Sequence, residues 1–219
     1  MLSSAQTEPA RYTLSEEIAS SLTHGIGIIL AIVGLVLLIV FATLRGEPPH
    51  IASATIFGAS LVLMYTASTL YHGIQSPVAK PIFRVIDHCS IFVLIAGSYT
   101  PFTLISLHGS LGWTMFAIIW VVAFLGIIYK VYLSHKWKRG SLVFYLAMSW
   151  ALLLAIKPLI ASVQTGGLVL LFLGGLFYTG GTVFYLWRRL PYHHAIWHMF
   201  VLAGSICHYF SVLLYVMPS

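Results

Sequence analysis

Seven apolar runs, each about as long as a bilayer is thick, divide the chain between residues 20 and 216. A helix needs about 20 apolar residues to cross the hydrocarbon core. Runs near 20–43, 51–72, 85–107, 111–133, 141–162, 167–187 and 196–216 meet that length. The breaks between them are sharp. Gly46-Glu47-Pro48-Pro49 ends the first run, and Gly73 to Pro81 follows the second. His108-Gly109-Ser110, Ser134 to Gly140, Gln164 to Gly167 and Arg188 to Pro191 separate the rest. Charged residues make up 7% of the chain, against about 25% in a soluble domain. The expected fold is an all-α membrane protein, a seven-transmembrane helix bundle. Residues 18–219 form the membrane domain, and 1–17 are expected to be a short cytoplasmic tail.

The polar tail lacks the basic n-region and small-residue cleavage site of a secretory signal. The first run is therefore expected to stay as a span. Thr13-Leu14-Ser15-Glu16 has the spacing of a capping box at a helix start. A net charge of +6 would suggest nucleic acid in a soluble chain. Here the cations sit in short loops, where they set membrane orientation instead, and no nucleic-acid partner is expected. With the N-terminus in the cytoplasm, the inner side carries Arg11, Lys80, Arg84, Lys130, Lys136, Lys138, Arg139, Arg188 and Arg189. The outer side carries only Arg45 and Lys157. Nine against two predicts an inner N-terminus and an outer C-terminus.

Cys89 and Cys207 fall within spans and read as small buried hydrophobes, with no disulfide framework. Glycines crowd the sixth span, but no strict GxxxG pair occurs, and the sequence names no protein partner or oligomeric state.

Ionisable groups inside spans are costly and point to function. Asp87 is the only acidic residue after Glu47. With the topology above, His24, His72, Asp87, His88, His194 and His198 all lie near inner ends of spans one, two, three and seven. His194 and His198 are spaced i, i+4 and share a helix face. Such a pair can hold one metal ion, and His72 offers a third nitrogen. Three imidazoles and an open position describe a catalytic zinc site. Asp87 is placed to take a proton from water, and Ser68, one turn deeper than His72, to donate a hydrogen bond. Plainer readings stand beside these. Histidines are ordinary at interfaces, Asp87 can pair with Arg84, and Ser68 can bond its own helix backbone. His208 lies about 15 Å deeper than His198, so it is expected to line a cavity or bond another helix. His24 and His88 are expected at the interface or behind the ligands.

Ser68-Thr69-Leu70-Tyr71-His72, Asp87 and His194-Ala195-Ile196-Trp197-His198, in this order, resemble the motifs of the progestin and adipoQ receptor family. Glu17 to Gly27 and Asp87 to Pro101 are similar to its bacterial hemolysin III branch. The resemblance covers essentially the whole chain. It implies a bacterial inner-membrane location and zinc on His72, His194 and His198, with Asp87 and Ser68 around a zinc-bound water. It also implies kinship with alkaline ceramidases, which hydrolyse lipid amides, and with roles in membrane energetics or lipid homeostasis.

Two functions of different class follow. One is a zinc-dependent hydrolase of a lipid amide or ester, with membrane lipids as partners and substrate. The other is a non-enzymatic sensor or regulator with structural zinc. A retinal pump is disfavoured, because span seven has no lysine for a Schiff base and Lys157 lies near an outer end. A pore-forming toxin is disfavoured because the chain reads as a resident membrane protein.

Overall fold

Each apolar run becomes one helix, and the helices extend past the runs into polar residues. The computed structural model describes residues 12–133 and 140–217. The helices are α1 (Leu14–Arg45), α2 (Pro48–Gly73), α3 (Ala79–Leu107), α4 (Gly109–Leu133), α5 (Gly140–Ser162), α6 (Thr165–Leu186) and α7 (His193–Tyr215). All seven are long and apolar enough to span a membrane, so the chain is a multi-pass membrane protein. Arg11, His135, Lys136, Lys138 and Arg139 lie outside the described residues.

Local chemistry sets the ends. The capping box opens α1: Glu16 N donates to Thr13 Oγ1 (3.3 Å), and Thr13 N donates to Glu16 Oε2 (2.9 Å). Prolines 48 and 49 suit the first turn of α2, where their missing N–H groups cost nothing. Between α3 and α4 the chain reverses at His108 and Gly109, both at positive φ (29° and 55°), a region glycine enters without strain.

Three helices depart from α geometry, and in α4 it is the last residues, Tyr129–Leu133, that widen into π turns. In α3, Pro101 brings no N–H, and Phe102–Leu107 beyond it widen into π turns. In α5, Ala151–Ala155 tighten into 3₁₀ geometry shortly before Pro158. Tyr99 of α3 inserts into that break. Its hydroxyl donates to Met148 O (2.6 Å) and accepts from Leu152 N (2.8 Å). Backbone groups freed inside a membrane must find such partners.

The bundle is apolar outside and partly polar inside. Leu22, Ile29, Val36 and Leu44 of α1 are exposed, whereas Ser53, Ser60, Thr100, Thr103 and Ser211 are buried. α3 is the most enclosed helix and packs on α2, α4 and α5. α1 packs on α2 and α7, and α6 packs on α7. The α6–α7 seam is close: a Cβ on Gly174 would land on the His208 ring. Cys89 and Cys207 are half-buried free thiols.

Short connections make successive helices run in opposite directions. One end of the bundle therefore gathers the start of α1, α3, α5 and α7 and the finish of α2, α4 and α6. We call this the polar end. Among the described cations, Lys80, Arg84, Lys130, Arg188 and Arg189 belong to it, and Arg45 and Lys157 to the far end.

Candidate metal centre

At the polar end, α2 delivers His72 and the first two turns of α7 deliver His194 and His198. Each offers one ring nitrogen, and the three nitrogens lie within 4.8 Å of one another. The ring centroids are 4.6–5.0 Å apart, and all three residues are buried. The i, i+4 spacing therefore does place both α7 histidines against one point, and α2 completes the group.

The other side of each ring is held by α1 and the residue pair before it. His72 Nδ1 meets Glu17 Oε2 at 2.6 Å, and His198 Nδ1 meets the Ser20 carbonyl at 3.1 Å. His194 Nδ1 meets the Tyr12 hydroxyl at 3.1 Å. A carboxylate and a carbonyl only accept hydrogen bonds, so in His72 and His198 the proton sits on Nδ1. The Nε2 lone pair is then the one turned to the centre. His198 Nε2 is fully buried and makes no hydrogen bond among the described residues. A buried acceptor left so is costly, and a metal ion would satisfy it. Three buried imidazoles converging from two helices, two of them with the tautomer set by their partners, are a donor set that fits a divalent transition metal.

Glu17 is itself braced. It is buried, and its Oε1 takes an ion pair from Lys80 Nζ at 2.9 Å. Lys80 also donates to the carbonyls of Tyr71 (3.2 Å) and Ile74 (3.3 Å) at the end of α2. Sequence reasoning did not find Glu17, Tyr12 or Ser20 as supports of the histidines. Only Glu17 left a trace: the capping box already uses Glu16, so a second acid beside it had no assigned task.

Asp87 opens the interior side of α3. It is buried and is not among the three grouped ligands. Its Oδ2 lies 3.5 Å from His88 Nδ1. Ser68, one turn before His72, is buried and faces the Asp87 carboxylate closely enough to bear on its charge. By strict geometry its hydroxyl closes no hydrogen bond among the described residues, even to its own helix.

The remaining histidines separate. His24 is fully buried behind the ligands, as one of the two expected placements had it, and stacks on His198 with centroids 3.6 Å apart and planes 8° from parallel. His88 Nδ1 donates to the Arg84 carbonyl (2.6 Å). His193 starts α7 and donates to Phe184 O (3.0 Å). His208 both lines the interior cavity and bonds another helix, donating to Leu171 O at 3.1 Å.

That cavity has a volume of about 950 Å³ and lies among α3, α5, α6 and α7. Asp87 and His194 stand on its wall at the polar end, and Leu142, Leu146, Leu168, Leu171 and Phe172 line its length. Leu153 and Ile160 of α5 and Phe172 and Leu186 of α6 line it while also facing outward. The cavity thus opens sideways, between α5 and α6, toward the space lipid fills.

Fold and site together define a multi-pass helical membrane protein with a buried three-histidine group able to hold a metal. The sequence profile of the family described as Haemolysin-III related matches residues 12–209, a stretch that contains every residue of the centre. The chain is 49% identical over 204 residues to the Hemolysin-3 homolog of Bacillus subtilis (strain 168), covering 93% of this chain and 96% of the relative. It is 46% identical over 206 residues to Hemolysin-3 of Bacillus cereus, covering 94% of each. To the Monocyte to macrophage differentiation factor of Homo sapiens it is 33% identical over 215 residues, covering 94% of this chain and 87% of the relative. The chain belongs to the haemolysin III family, as its motifs led us to expect.

Proposed function

We propose that this protein is a zinc-dependent intramembrane hydrolase that cleaves a lipid amide or ester. The carrying observation is the convergence of His72, His194 and His198 beside a lipid-facing apolar cavity that shares His194 and Asp87. Zinc held by these nitrogens would supply a Lewis acid and make water a nucleophile near neutral pH. The protein's own residues do the rest. The cavity takes the acyl chain and brings the carbonyl to the polar end. Asp87 accepts the proton of the attacking water and returns it to the leaving group. Ser68 steadies the Asp87 carboxylate or donates to the carbonyl oxygen as charge develops there. Glu17, Ser20 and Tyr12 hold the ligand rings.

The test is metal analysis with a turnover assay on lipid amides and esters. Purified protein should carry about one zinc per chain and release fatty acid. Asp87→Asn should keep the zinc and lose at least about a hundredfold in rate, the scale of a general base. Metal-free protein that still turns over would sink this reading.

One observation favours a second reading, a membrane sensor or homeostasis regulator with structural zinc. His72 and His198 are almost wholly enclosed and do not line the cavity, and closed sites are the structural kind. Lipidomes of cells carrying wild-type or Asp87→Ala protein separate the two. A shift that needs Asp87 indicates catalysis, and matching lipidomes with zinc retained indicate the regulator.

The cation distribution further supports a bacterial inner-membrane orientation with the polar end and N-terminus in the cytoplasm and the C-terminus in the periplasm. A periplasm-active reporter fused after Ser219 should be active. An inactive one would reverse the topology.

A further inference from the structure

The cavity has a charged mouth that the proposed chemistry leaves unused. Lys130 at the end of α4 and Arg188 and Arg189 just after α6 line the cavity at the same end as Asp87 and His194. Toward the far end the walls become leucine, isoleucine and phenylalanine. Four carboxylates lie in the described part of the chain, Glu16, Glu17, Glu47 and Asp87. Glu17 is taken by Lys80 and His72. Glu16 is taken by its capping box and by Tyr192 N (3.0 Å). Glu47 is at the far end. Asp87 alone shares the cavity, and Lys130 is near enough to interact with its charge. Neither Arg188 nor Arg189 forms an ion pair among the described residues. Among the described residues the mouth is thus net positive.

The backbone that carries the arginines is also held in place. Arg188 N donates to Leu186 O (3.0 Å), and Leu190 N donates to Trp187 O (3.1 Å). At the end of the turn, Tyr192 takes a left-handed backbone (φ 56°) and is tied to the start of α1 through Glu16. Two arginines at consecutive positions on a fixed turn suit planar oxyanions, which arginine binds with paired donors.

We infer that Lys130, Arg188 and Arg189 form a head-group subsite, selecting a lipid whose head carries a phosphate or carboxylate and whose chain fills the cavity. This rests on the reading that the cavity admits lipid, and it names the class of lipid. A neutral head would leave two guanidinium groups at the mouth without counter-charge. A negative one places its charge there and its chain along the apolar walls.

The experiment measures saturation binding to purified, zinc-loaded protein in neutral-detergent micelles. Three probes share one oleoyl chain type: oleate, dioleoylphosphatidate and the neutral monoolein. Wild type should bind at least one anionic probe at about one per chain and about tenfold more tightly than monoolein. High salt should erode that advantage. Oleate alone binding tightly assigns a carboxylate head, phosphatidate alone a phosphate, and both together charge as the selected feature. Lys130→Gln and the double change Arg188→Gln/Arg189→Gln should each remove most of the preference and leave monoolein unchanged. Arg188→Lys/Arg189→Lys should keep part of it, which guards against a folding defect. Gly175→Leu, which fills the cavity beside Trp150, should weaken all three probes. Equal affinity for charged and neutral probes in wild type overturns the subsite. So does an anion preference that survives the Gln changes. Anion binding untouched by Gly175→Leu would place it on the outer surface and also overturn it. Turnover is assayed separately from binding. Tight anion binding without hydrolysis leaves the subsite standing and removes the hydrolase. Hydrolysis indifferent to head charge does the reverse.

Discussion

Helices α1, α2 and α7 enclose His72, His194 and His198 closely: each histidine is at most 4% exposed, and His24 is packed flat on His198. Across the bundle, α5 and α6 stand apart over a cavity of about 950 Å³. The difference lies in what fills each interior. On the first side polar groups demand partners, and the demand is met by specific atoms such as the Glu17 carboxylate and the Ser20 carbonyl. Those bonds have direction and fix the rings. On the second side leucine and phenylalanine walls have no such demand, and lipid chains solvate them as well as another helix would. A rigid centre thus sits beside a compliant, apolar chamber; His194 belongs to both, and Asp87 stands on the chamber wall at the same end.

The largest effect should come from breaking the rigid side at its ligands. His198→Ala removes one of three nitrogens, and bound zinc should fall from about one per chain to near zero after dialysis against a weak chelator. Zinc retained at wild-type stoichiometry would separate the histidine group from metal binding. Next in size is Glu17→Gln, which keeps shape but removes the charge that holds His72 Nδ1. Partners behind a ligand are worth about 10- to 100-fold in metal affinity, so chelator competition should show a loss in that range. Glu17→Asp should lose as much or nearly so, because the shorter side chain no longer spans the 2.6 Å contact. An unchanged affinity in Glu17→Gln would show that α1 does not orient the centre.

The two sides were unequally legible in the sequence. Seven long runs separated by Gly, Pro and charged clusters determine the helix count. Charge asymmetry, with the i, i+4 spacing of His194 and His198, then gathers the ligands at one end. The role of α1 was hidden because much of it is backbone or context. The Ser20 carbonyl that holds His198 exists at every residue, and Tyr12 precedes the helix it works with. Helix ends lie beyond the apolar runs. α1 starts at Leu14, where its capping box was read in the sequence, and reaches Arg45, where a terminal cation extends the helix past its apolar run. The cavity left one mark, His208, which was expected to line one and does; its other walls have the same residues as a packed seam, and the void lies between helices.

A third test probes the point where the rigid side reaches α5. Tyr99→Phe deletes the hydroxyl that bridges Met148 O and Leu152 N at the break in α5. A buried backbone N–H is left without its partner, which costs about 1–3 kcal/mol. Unfolding in mixed micelles, titrated with a denaturing detergent, should register that loss. No change would mean the broken segment re-forms its own helical bonds.

The smallest effect belongs to the compliant side and gives the contrast its sharpest form. Leu153 is 46% exposed, lines the cavity, and lies in the same 3₁₀ segment of α5 as Leu152. Leu153→Ala should change stability by no more than about 0.5 kcal/mol, the range of substitutions that disturb no packed feature. The lost side chain faced a chamber and lipid, so its truncation enlarges a space already present and opens no new void in a packed core. The same micelle titration measures both variants. If Leu153→Ala matches Tyr99→Phe, the α5–α6 side is closed in the membrane, and a lipid would have to enter from the polar end.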